Sequence, residues 1–188
     1  MALLDPNPSF NGLSDVQVSQ VFARIACTAN LVAELCREHA ATVGDTEQKN
    51  TFHALNALVS SLGAMADIGT PLGNTGDLAA WMLGPECHGL NGAQHAGDRP
   101  APTRFNGLSD GQLSLLLRNI ATSIDLLAET CSESAANAGR TTAAMHFHVV
   151  GEMLSSVGAL ADMALCSPVK GSFAVWKAGP VFCPEALA

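Results

Sequence analysis

Phe10-Asn11-Gly12-Leu13-Ser14-Asp15 recurs as Phe105-Asn106-Gly107-Leu108-Ser109-Asp110, an offset of 95 residues. With that offset held, Phe10 to Pro85 aligns on Phe105 to Pro180 without a gap, giving about 32 identities in 76 pairs. Retained pairs include Glu34/Glu129, Cys36/Cys131, Phe52/Phe147, His53/His148, Asp67/Asp162 and Trp81/Trp176. A repeat of this length decides the architecture before any single segment does, because each copy must be one structural unit.

The hexapeptide itself marks a helix start. Ser14-x-x-Gln17 and Ser109-x-x-Gln112 have the form of a capping box, in which Ser accepts from the N3 amide and Gln reaches back to the cap amide. Leu13 with Val18, and Leu108 with Leu113, occupy the staple positions around it. A first helix is expected over 15–43 and again over 110–138, ended by a left-handed Gly44 and Gly139. A second helix, capped by Thr46 and Thr141, is expected to reach about 69 and about 165. No stretch alternates with period two, so no sheet is expected.

A two-helix hairpin cannot bury its apolar stripe alone, but two tandem hairpins can bury theirs together. The expected fold is all-α: duplicated helical hairpins forming a pseudo-twofold four-helix bundle. Residues 1–85 make the first repeat and 105–188 the second. Residues 86–104, rich in Gly, Pro and Ala, read as a linker. Each repeat ends in a Trp-containing tail, Pro71–Pro85 and Val169–Pro180, expected to fold back over the bundle.

Composition narrows the function. The 188 residues are 48% hydrophobic and 14% charged, which excludes a disordered chain. Nine Lys+Arg against 17 Asp+Glu leave a net charge of -8, the wrong sign for a nucleic-acid partner. Met1 to Pro8 has neither the basic nor the apolar part of a signal peptide. No window approaches the roughly 18 apolar residues of a membrane span. The expected compartment is the cytoplasm, with the six cysteines as reduced thiols.

Rotation by 100° per residue sorts the side chains. Val18, Val21, Phe22, Ile25, Val32 and Cys36 share the inner face of the first helix, and Cys36 and Cys131 read as small core hydrophobes. Ser19, Ala26, Ala33 and Ala40 recur every seven residues and are unchanged in the second copy, a stripe suited to close helix–helix approach. On the second helix, Phe52, Leu55, Leu58, Val59, Leu62 and Met65 form the inward stripe.

Two outward features stand out. His53, Ser60 and Asp67 lie seven apart and recur as His148, Ser155 and Asp162. Successive members are about 10 Å apart along a helix, too far for a catalytic triad, so the strip reads as a solvated face or as a polar contact surface. Leu31 and Leu126 are the same outward Leu in both copies and suggest an interaction patch.

No cofactor is called for. A bis-His haem would need His53 and His148 inward, and both point out. His146 turns inward, but its counterpart is Thr51. Cys87-His88 and His95 in the linker could bind adventitious metal, but their spacing is weak evidence of a site. Phosphate loops, GxSxG and HExxH are absent. The reading is a non-catalytic helical protein acting through protein–protein contacts, by self-association or by regulating a partner. The alternative is a small apolar ligand or cofactor held between helices, with Trp81 and Trp176 as lids.

Overall fold

A computed structural model describes residues 10–70, 108–169 and 171–178. The linker, Trp81 and the tail Pro71–Pro85 lie outside the described residues. The described residues form five helices: α1 (Asp15–Thr42), α2 (Thr46–Asp67), α3 (Asp110–Ala138), α4 (Thr142–Cys166) and the short α5 (Phe173–Lys177). No strand occurs among the described residues, and the protein is all-α.

Both capping boxes form as the sequence requires. Ser14 Oγ accepts from the Gln17 amide at 3.3 Å, and Gln17 Oε1 accepts from the Ser14 amide at 2.9 Å. Ser109 and Gln112 repeat the pair at the same two distances. Asn11 and Gly12 just ahead of α1 take positive φ, which lets the Leu13 amide turn back onto the Phe10 carbonyl.

The helix ends depart from expectation in the first copy. Gly139 takes φ 66 after α3, but Gly44 is not left-handed. Extended backbone at Val43 and Asp45 reverses the chain there instead. Asp45, not Thr46, caps α2, its carboxylate accepting from the Gln48 amide at 2.9 Å. A carboxylate at this position also meets the positive end of the helix dipole. Thr141 caps α4 as read. α2 stops at Asp67, where Thr70 Oγ1 closes the end on the Asp67 carbonyl.

α1 packs along α2, and α3 along α4; α1 also meets α4, and α2 meets α3. Small residues set the separation within each hairpin. A Cβ at Gly63 would come within 2.7 Å of Asn30 Oδ1, and one at Gly158 within 3.1 Å of Ile124 Cγ2. Ala26, Ala33, Ala40 and Ala121 are buried, and Ala128 and Ala135 half-buried, as a close seam needs. The core holds Phe22, Ile25, Cys36, Phe52, Ile120, Ile124, Cys131 and Phe147, all essentially inaccessible. Each large side chain buried this way contributes about 1.5–3 kcal/mol.

Two readings need correction. Leu58 is 53% exposed, not inward. It stands one residue from the buried Val59, at the edge of the stripe, and faces α3 rather than the centre. α4 is long and apolar enough to cross a membrane by length and composition alone. Here its apolar residues Phe147, Val150, Leu154, Val157 and Ala161 are buried in the core.

Candidate functional site

Glu47, Thr51, Leu58, Ser61 and Met65 follow one another at three-, four- and seven-residue steps, which places them along one side of α2. That side faces α3. Leu58, Ser61, Leu62 and Met65 of α2 and Ser123, Leu126, Leu127 and Thr130 of α3 line a groove of about 390 Å³. Its floor is Leu62 and Leu127, both buried, and its rims are Leu58 and Leu126, the latter 60% exposed. Nearer the N-terminus of α2, the same two helices line a second recess of about 260 Å³ with Asp45, Glu47, Gln48, Thr51, Ser134 and Asn137, together with Phe147 of α4. Among the described residues, neither Lys nor Arg lines either recess.

A related groove of about 270 Å³ lies between α4 and α1. Its Thr28, Met153, Ser156, Val157 and Leu160 stand 95 residues from Ser123, Leu58, Ser61, Leu62 and Met65. It differs in chemistry: Arg24 and Glu152 line it, where the offset gives Asn119 and Ala57 on the other side. One groove is therefore charged and the other is apolar at its centre.

The interior end between α1, α2 and α4 carries a run of rings. His39 stacks on His146 at 3.6 Å and 11°, and leans on Phe52 at 5.5 Å. Phe52 stacks on Phe147 at 4.0 Å and 4°. Burial holds the His39 imidazole below its usual range, and the neighbouring His146 adds to this. His146 Nδ1 is buried without a hydrogen-bond partner among the described residues. Burial pushes the Cys36 thiol up to about 11, and burial with the neighbouring Cys36 pushes Cys131 up to about 12. Neither is an activated nucleophile. No group of three metal-ligating side chains occurs among the described residues.

The structure brings few of the sequence-selected residues together. His53, Asp67, His148 and Asp162 are exposed, the first two on α2 and the last two on α4. Burial and the nearby Asp125 raise the Asp162 carboxyl. Leu31 is exposed on α1 and does not line the α1–α4 groove, whereas Leu126 is part of the α2–α3 groove. Trp176, in α5, is fully buried beside Phe173, and its Nε1–H meets no acceptor among the described residues.

Sequence reasoning missed two features. Leu58 lies 40° from Leu62 on a helical wheel, so periodicity alone places it on the inward stripe. The His39–His146 stack joins positions that the repeat does not pair, since the offset matches His39 with Ser134 and His146 with Thr51. No protein-family model, curated protein or solved structure matches the chain.

Proposed function

We propose that the chain is a non-catalytic helical protein that works through protein–protein contacts. In this reading its two hairpin copies pack as a four-helix bundle about a pseudo-twofold axis. The stacking of Phe52 on Phe147 supports the axis, as does the proximity of Cys36 to Cys131, since both pairs keep the offset of 95. The pair of grooves with matching lining supports it further.

The observation that carries the functional reading is the α2–α3 groove. An apolar floor between two exposed leucines is unfavourable in water and is removed from it by a partner side chain. Ala54, Ala57, Ser61 and Ala64 continue the uncharged exposed surface along α2. Small residues there allow another backbone to come close.

A photo-crosslinking residue at position 126 tests this in the native cells. The expected result is a discrete adduct, lost on Leu58→Ser, with none from the same residue at the exposed position 16. Equal labelling from positions 16 and 126 would overturn the reading.

One observation favours an apolar ligand as the second reading. The buried Trp176 indole N–H lacks an acceptor among the described residues, and leaving such a group unpaired costs about 1–3 kcal/mol. A ligand carbonyl or hydroxyl would supply one. Native mass spectrometry of the untagged protein reads this directly, as extra mass lost on denaturation.

A further inference from the structure

We infer that the occupant of the α2–α3 groove is a helix of a partner protein, apolar along its length and basic at one end. The inference rests on the contact reading above and specifies the chemistry of the partner. Its basis is the change of character along one continuous side of α2. Around Leu58 and Met65 the walls are apolar and uncharged. Toward the N-terminus they become polar, and Asp45 and Glu47 enter the lining.

α3 matches this change. Glu133 stands seven residues, two turns, beyond Leu126 and so on the same side of its helix, and both are exposed. Lys49 does not offset these carboxylates from within the groove. It lies nine residues from Leu58, which is half a revolution round α2. The groove thus offers dispersion and burial at one end and negative potential at the other. On a chain of net charge -8, a basic segment is also drawn in by the long-range field.

Shape selects a helix. From Met65 to Glu47 the wall runs about 27 Å at 1.5 Å per residue, the length of an 18-residue helix. Two packed helices leave a furrow into which the ridge of a third fits, the recognition mode that reads apolar side chains at i, i+3, i+4 and i+7. The counterpart groove between α4 and α1 is a poorer site for the same helix, because Arg24 repels a basic end and Glu152 interrupts the apolar wall.

Two fluorescein-labelled helical peptides test the inference, with one shared Leu/Ala face and either a Lys-rich or a Glu-rich end. Anisotropy is read with the full chain at low salt, where exposed charge pairs act over about 10 Å or more. The Lys-ended peptide is expected to bind about tenfold tighter, equal to about 1.4 kcal/mol. Glu47→Lys with Glu133→Lys should erase that preference, and Leu58→Ser with Leu126→Ser should weaken both peptides while the circular dichroism stays helical. Equal binding of the two peptides, or a Lys preference untouched by the charge reversal, would overturn the inference. Equal binding that is still lost on Leu58→Ser removes only the basic end and leaves the contact reading standing. Absence of binding by either peptide overturns the inference, as does a dimer that Leu58→Ser converts to monomer, which assigns the groove to a second copy.

Discussion

The rings of Phe52 and Phe147 lie face on face, 4.0 Å between centroids and 4° from parallel, at positions 95 residues apart. The sequence offset of 95 pairs them, and their stack joins α2 to α4. Aromatic pairs contribute about 0.5–1.5 kcal/mol beyond the area they bury. Phe52→Leu and Phe147→Leu should each cost about 1.5 kcal/mol. The double variant should cost less than their sum by the pair term, because the second substitution no longer breaks a stack. Urea titration of the four proteins checks this, and strict additivity would mean the rings contribute through burial alone.

The described thiols divide by accessibility. Cys27 and Cys166 are exposed, while Cys36 and Cys131 are fully buried with their thiols pushed up to about 11 and about 12. At pH 8 about one in a thousand or fewer of the buried pair would be thiolate, the form that reacts. Brief iodoacetamide treatment of the folded protein should label Cys27 and Cys166 and spare Cys36 and Cys131. Peptide mapping reads the sites, and labelling of Cys36 before unfolding would show that the core opens on that timescale.

His39 links stability to pH. Its folded-state pKa is depressed, first by burial and then by His146, with Glu38 opposing weakly. The unfolded chain therefore binds the proton more readily. The stability His39 contributes is full above the ordinary value of 6.5 and is lost as pH falls below it. His39→Phe keeps a ring between Phe52 and His146 but cannot titrate. The urea midpoint of the wild type should drop more steeply from pH 7 to pH 5 than that of His39→Phe. Parallel curves would assign the acid sensitivity to other groups.

Much of the fold is legible because its signals are local and stated twice. Ser14/Gln17 and Ser109/Gln112 fix two helix starts through hydrogen bonds among neighbours, so no tertiary knowledge is needed. The helix ends were less legible. Gly44 and Gly139 are the same residue at the same place, yet one turn uses positive φ and the other a carboxylate cap, a choice made by Asp45 against Arg140. The groove was harder still. Whether Leu58 faces the core or a neighbouring helix depends on where α3 sits, and a helical wheel carries no information about that. The His39–His146 stack joins α1 to α4 across unmatched positions, so a repeat-based reading discards it.

Gly69 lies against Phe22 with no room for a Cβ. A Cβ there would lie 2.3 Å from the Phe22 ring, which is itself fully buried and has nowhere to swing. Gly69→Ala should therefore cost about 1–3 kcal/mol. Gly44→Ala, with nothing within 4 Å and no positive φ, should be neutral or stabilise by about 0.4–1 kcal/mol. The second copy places Leu117 and Ala164 at the positions of Phe22 and Gly69, and both are buried. Leu for Phe together with Ala for Gly changes the summed side-chain volume less than Leu for Phe alone. Phe22→Leu alone should leave a cavity and lower the melting temperature, yet combined with Gly69→Ala it should recover part of what each substitution loses. A double variant less stable than either single would mean that the first copy's ring contacts something the second copy's Leu117 does not.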